Sequence, residues 1–267
     1  MKFSKNTPVK IIVIGAGGTG GWIIPHLYRI GAAARREIRV IICDGDIVES
    51  KNLIRQNFIV QDIGENKAKV LAERYSSAFG IETEYIPGYI ETAEELRELI
   101  LPDYVQHGFS YCEGAEHQRV ILIGAVDNNK SRKLCNEVFK TVNNLVYIDS
   151  GNGESTGQVV CGIRQKSRTV YKPVCSLYPE MLNDEDKFPS ELSCADRNES
   201  APQSITANLF AANAVVSFLY NLLIVGELTT RHVHFSSKII SIRAETVKKR
   251  RKKSYGTKTD KDNLAAA

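Results

Sequence analysis

Val9-Lys10-Ile11-Ile12-Val13-Ile14-Gly15-Ala16-Gly17-Gly18-Thr19-Gly20 carries the strongest fold signal in the chain. Residues 9–14 read as a continuous apolar run, as in a parallel strand buried on both faces. Residues 15–20 satisfy Gly-x-Gly-x-x-Gly between that strand and a helix expected from about Trp22 to Ala34, where Pro25 is tolerated in the first turn. Glycines at such a junction let the backbone approach phosphate oxygens. The helix start adds unbonded N–H groups and the positive end of its dipole. Gly15, Gly17, Gly18 and Gly20 are therefore candidate nucleotide-binding positions; a purely structural glycine turn is the plainer alternative. Asp44 lies 24 residues past Gly20, at the end of a second strand from Ile38 to Cys43, and suits a ribose hydroxyl. The loop alone does not separate NAD from ATP.

Outward from this stretch, strand-like and helical runs alternate. After a polar loop over 45–64, a helix from Asn66 to Phe79 carries Val70, Leu71 and Tyr75 on one periodic face. Glu84 to Ile86 is a candidate short strand, and Thr92-x-x-Glu95 reads as a capping box for a helix through Ile100. Val120 to Val126 is expected as a strand ending on Asp127, Ser131 to Val142 as a helix, and Leu145 to Ile148 as a strand ending on Asp149. Val159 to Ile163 follows as a further strand. Residues 164–204 are polar and aperiodic, a crossover region of the kind that is usually functional or disordered. A helix from Ile205 to Val225 and a hairpin from His232 to Ala244, turning at Ser236-Ser237, complete the pattern. The expected class is α/β: a Rossmann-like doubly wound, mainly parallel sheet with a C-terminal antiparallel extension, its site at the strands' carboxyl edge. A single domain over 1–247 and a basic disordered tail over 248–267 are expected.

With 43% hydrophobic and 25% charged residues among 267, the chain has the composition of a soluble globular protein. Its net charge of +4 is concentrated in Lys248–Lys253, six consecutive positive charges, read as a solvated tail rather than a nucleic-acid contact. The six cysteines form no Cys-x-x-Cys, and the start has no apolar h-region. Both point to reduced thiols in a cytoplasmic protein. Ile205 to Val225 is long enough to span a bilayer. Asn208, Asn213, Ser217 and Asn221 would be costly in hydrocarbon, so it reads as a core helix and no membrane contact is expected.

The segment from Asp44 to Gln56 brings Asn52 and Arg55, and then Lys67, close to the glycine loop in sequence. A nicotinamide site needs only the ribose acid there. An arginine and a lysine aimed at one point suit a triphosphate, whose charge grows as pyrophosphate leaves. Asp127, with Asn128 beside it, is a candidate Mg²⁺ ligand, since that ion takes one or two carboxylates plus phosphate oxygens. Taken singly, Arg55 and Lys67 could be surface charges and Asp127 a helix cap. Arg132 is evenly a structural hydrogen bonder or a site residue.

Gly-x-Gly-x-x-Gly, Asp44-x-Asp46 with Asn52-Leu53-x-Arg55-Gln56, Gly64-x-x-Lys67 and Asp127-Asn128-x-x-x-Arg132 together resemble the ThiF/MoeB/ubiquitin-activating family over roughly residues 9–225. The length, the compact start and the divergent central loop resemble its PRTRC-cassette branch. The resemblance implies that Asp44 holds the ribose, that Asn52, Arg55 and Lys67 handle the phosphates of ATP, and that Asp127 holds Mg²⁺. It also implies a homodimer acting on a small ubiquitin-like or sulfur-carrier protein. Lys172-Pro173-Val174-Cys175-Ser176-Leu177-Tyr178 resembles the stretch that carries a zinc cysteine pair, but Lys172 replaces the first cysteine and no downstream pair exists, so no structural zinc is expected. Leu192-Ser193-Cys194 resembles a segment in which some members carry the cysteine that takes the activated acyl group. Cys194 is thus the candidate nucleophile and Cys175 a weaker one. The family's N-terminal helical segment, with its arginine, has no counterpart before Val9. His232 and His234 alternate in the expected hairpin, and no histidine is assigned a role.

The expected activity is ATP-dependent adenylation of a carrier's C-terminal carboxylate, with transfer to Cys194 as a candidate second step. One rival is a non-catalytic nucleotide-binding scaffold of the same fold. Another is an NAD-dependent oxidoreductase, which would leave Arg55, Lys67 and Asp127 unexplained.

Overall fold

The computed structural model describes residues 3, 7–103, 118–191 and 203–246. Strands β1 (Val9–Ile14) and β2 (Ile38–Cys43) have the bounds that their apolar runs predict. Helix α1 (Gly18–Ala33) joins them, and α2 (Lys67–Phe79) leads to β3 (Glu82–Ile86). After α3 (Ala93–Ile100) come β4 (Arg119–Gly124), α4 (Asn129–Thr141) and β5 (Leu145–Asn152). The second half adds β6 (Thr156–Gln165), β7 (Arg168–Tyr171), the short α5 (Val174–Leu177), α6 (Ile205–Tyr220), β8 (Thr230–Ser236) and β9 (Ser241–Thr246).

These strands form one sheet in the order β3-β2-β1-β4-β5-β6-β8-β9, with β7 also on β6. The pairs from β3 to β5 are parallel, whereas β5–β6, β6–β8 and β8–β9 are antiparallel. This is the expected doubly wound sheet with its antiparallel extension. The chain winds outward through β2 and β3, then returns to lay β4 on the other side of β1. The crevice beyond the carboxyl ends of β1 and β4 is the topological switch point, where such sheets bind ligands.

Alternation along β1 sends Val9, Ile11 and Val13 into a core under α1, α2 and α6. Ile12 and Ile14 enter a second core under α3 and α4. Lys10 interrupts the supposedly continuous apolar run: it is fully buried, with its ammonium 3.0 Å from Asp103 and 2.9 Å from the Leu101 carbonyl. Such a charge is tolerable in a core only when paired.

Helix α1 starts at Gly18, so Pro25 lies beyond the first turn. Its missing N–H would orphan the Gly21 carbonyl. The Asn57 side-chain amide donates to that carbonyl at 3.0 Å instead, and Gly21 has no side chain to obstruct the approach. β5 runs past Asp149 to Asn152, and the region expected to be aperiodic contains β7 and α5. Helix α6 continues as a π-turn over Asn221–Val225. By length and composition this unit could cross a membrane, but half of its apolar window is buried against α1 and the sheet. Asn213 and Ser217 lie on its exposed face.

Candidate functional site

A cleft of about 510 Å³ opens at the switch point, and four strand ends feed it. Gly15, Gly17, Gly18 and Thr19 follow β1, Asp44 to Asp46 follow β2, Ala125 to Asn128 follow β4, and Ser150 and Asn152 close β5. Asn52, Arg55, Gln56 and Lys67 complete it from the loop and helix after β2. Among the described residues, all the sequence-nominated ones line this one cavity except Gly20, Arg132 and Cys175.

The glycines are there for separate reasons. Gly15 has φ +93°, a left-handed conformation that a side chain strains, and a Cβ on it would stand 2.5 Å from the Ala125 carbonyl. A Cβ on Gly20 would be 1.9 Å from the Gly15 carbonyl, so this glycine lets α1 pack against the loop. Gly17 caps α1 and faces the cleft, with the first N–H groups of the helix left without intrahelical partners.

Asp44 is buried and accepts from the Ala16 N–H at 2.6 Å and the Asp46 N–H at 2.8 Å. Burial raises its carboxyl to about 6, against the opposing pull of the Lys67 charge. Lys67 opens α2 with its ammonium 2.8 Å from Asp46, whose carboxylate also accepts from the Tyr89 hydroxyl. Asn66, not Lys67, caps that helix through Lys69 N–H. Arg55 lies over the glycine loop and donates to Gln203 at 3.3 Å; a Cβ on Gly18 would fall 2.6 Å from its Nη1. Asn52 is buried and accepts from the Glu49 N–H.

At the end of β4, the helix cap is Asn128, which accepts from the Ser131 N–H at 2.8 Å. Asn128 thus provides the cap while still lining the cleft, and Asp127 is left out of the capping role. The Asp127 side chain is exposed in the cleft and has no ion pair among the described residues. An uncommitted carboxylate beside a phosphate-type loop fits the donor set that magnesium prefers. Arg132 takes its structural reading: it is buried, donates to the Val126 carbonyl at 2.6 Å, and stands 3.4 Å from the fully buried Asp149.

Several cleft residues escaped sequence reasoning. The Gln56 Oε1 is buried without a hydrogen-bond partner among the described residues and lies close to Gly17. The Tyr89 ring lies against Gly45, too close for any Cβ there. Asn208 on α6 sits fully buried under the loop, accepting from Asn152 at 3.0 Å and from Thr19 at 3.4 Å. Gln56 belongs to a quoted motif and was within reach; Tyr89 and Asn208 are brought in only by tertiary folding.

Cys194 lies outside the described residues. On either side of its segment, Pro189 and Gln203 both line the cleft. Cys175 is buried under α4, and burial pushes its thiol up to about 11, which leaves it unsuited to attack as a thiolate.

The sequence pattern of the ThiF family matches residues 4–261. A segment of 64 residues, 24% of the chain, is 36% identical to the ATP-dependent ubiquitin transferase-like protein Cap2 of Enterobacter hormaechei subsp. hoffmannii (strain UCI 50), covering 10% of that protein. The crystal structure of PaaA superposes with a TM-score of 0.61 at 18% identity, over 91% of this chain and 65% of that one. E. coli MccB with succinimide gives 0.60 at 18% identity, over 91% and 65%. The same protein with AMPCPP and MccA gives 0.58 at 18% identity, over 91% and 64%. The chain thus spans a tenth of Cap2 and just under two thirds of these solved chains, which share its fold.

Proposed function

Because the chain belongs to the ThiF family, we propose that it binds ATP in this cleft and adenylates the C-terminal carboxylate of a small ubiquitin-like or sulfur-carrier protein. The observation that carries the reading is the convergence of the glycine loop, Asp44, Arg55, Lys67 and Asp127 on one cavity. The likeness to MccB, solved with AMPCPP and MccA, and to Cap2 supports ATP and a peptide or protein carboxylate as reactants.

In this reading the N-terminal turn of α1 receives the phosphates and Asp44 accepts from a ribose hydroxyl. A carboxylate oxygen attacks the α-phosphorus and the bond to the bridging oxygen breaks. Pyrophosphate leaves and an acyl-adenylate forms. Arg55, Lys67 and Asn52 offset the charge that grows on the leaving group, and such fixed donors are worth most where charge develops. Asp127 would hold Mg²⁺, which neutralises phosphate charge when bound. The Cys194 thiolate would then attack the acyl carbon, displacing AMP and forming a thioester. A cytoplasmic homodimer is part of the same proposal.

Titration of the full chain with AMPCPP and Mg²⁺, and separately with NAD, tests the cofactor. Magnesium-dependent binding of the ATP analogue, weakened in Arg55→Ala, is expected. Tighter binding of NAD would overturn the reading.

A further inference from the structure

The antiparallel extension brings together a donor set that the adenylation chemistry does not use. His232 and His234 alternate on β8, so both rings project from the same face, and Glu245 on β9 is the register partner of His232. One donor atom from each of the three lies within 4.8 Å of the other two. The His232 Nδ1 is 3.7 Å from the Glu245 Oε1, and the two imidazoles have centroids 4.0 Å apart.

The surroundings orient these donors. The Tyr178 hydroxyl is 2.9 Å from His232 Nε2 and 3.5 Å from His234 Nδ1, engaging one nitrogen of each ring and leaving the other. Arg231 holds the Glu245 Oε2 at 3.1 Å, which leaves Oε1 on the histidine side. A hydrogen bond on the second nitrogen of each imidazole and on the second oxygen of the carboxylate is the arrangement that outer-shell groups give to metal ligands.

We propose that His232, His234 and Glu245 form a site for a divalent transition metal of the zinc type. Two imidazoles and one carboxylate are a known three-ligand zinc set with the fourth position open to water or a ligand. Nitrogen donors disfavour magnesium and calcium. Tetrahedral bonds of about 2.0–2.1 Å put ligand atoms about 3.3 Å apart, so the three donors need close only modestly. His234 also lines a second cleft of about 470 Å³, whose wall includes Asp127 and Asn152 from the first. An ion here would tie the β8–β9 hairpin to the Tyr178 turn, at the edge of the candidate active site. The site differs from the cysteine pairs whose absence was expected: it is built from strands of the extension and contains no sulfur.

The test uses the untagged full chain, stripped of metal and titrated with Zn²⁺ by calorimetry and with Co²⁺ by visible absorption. His234→Ala and Glu245→Gln are the informative variants, because both side chains are exposed and the core does not depend on them. Expected are one equivalent bound, tetrahedral Co²⁺ bands, and binding weakened by about tenfold or more in each variant, since even outer-shell losses cost that much. No binding by the wild type, or wild-type affinity in either variant, overturns the proposal.

Discussion

The Lys67 ammonium lies 2.8 Å from the Asp46 carboxylate, with the lysine buried and the aspartate half exposed to the cleft. A buried ammonium costs several kcal/mol unless paired. Asp46 therefore supplies the partner that Lys67 needs at the cavity wall, where an incoming phosphate would compete for it. Lys67→Met is predicted to slow adenylation by on the order of 10²-fold, the loss typical of one charge-stabilising donor. A rate within about twofold of wild type would remove Lys67 from the site.

Substitution of Asp127 tests the proposed metal-holding role apart from folding. Because Asn128 provides the cap of α4, Asp127→Ala should change the melting temperature by about 2 °C or less, as for an ordinary surface substitution. Pyrophosphate release should nevertheless fall by about 10²-fold or more. A large loss of stability together with the loss of activity would return Asp127 to a structural role.

Asp44 gives the cleft a pH signature. Its carboxyl is raised to about 6 by burial, above the usual value near 4. The folded chain thus holds its proton longer than the unfolded one. Its contribution to ligand-free stability therefore declines as pH rises from about 4 to about 6 and is level above that. Nucleotide binding should run the other way, because the carboxylate is the better acceptor for a ribose hydroxyl. AMPCPP affinity is expected to weaken as pH falls through about 6, whereas Asp44→Asn shows only the titration of the phosphate itself. Identical pH profiles for the two proteins would count against the ribose role.

The contact between Asn57 and Gly21 can be tested by a double-mutant cycle. Asn57→Leu leaves the Gly21 carbonyl unsatisfied and also removes a bond to Tyr75. A cost of about 1–3 kcal/mol, read from the urea midpoint, is expected. Pro25→Ala restores an N–H to the helix ladder, so it should recover more stability in the Asn57→Leu background than in wild type. Equal effects in both backgrounds would break the link.

What was legible in the sequence follows from how local its causes are. β1 and β2 were readable to the residue because a buried parallel strand needs an apolar run and ends where a turn residue stops it. The thin edges of the reading lie where a distant partner decides. Lys10 sits in a core strand because Asp103 meets it there, and α1 begins earlier than expected because Asn57 serves the carbonyl that Pro25 orphans. Arg55, Lys67 and Asp127 were visible as a spaced motif. Tyr89 and Asn208 were invisible because β3 and α6 deliver them from far along the chain. Which of Asp127 and Asn128 caps α4 was a choice between neighbours that only geometry could make: Asn128 accepts from the Ser131 N–H and also lines the cleft.

The central claim is tested most directly by exchange of labelled pyrophosphate into ATP. The full chain is supplied with a carrier protein that demonstrably binds it, either with a free C-terminal carboxylate or amidated there. Exchange is expected with the free acid, none with the amide, and loss of exchange in Asp127→Ala. No exchange with the bound free acid, or equal exchange with the amide, would contradict that claim.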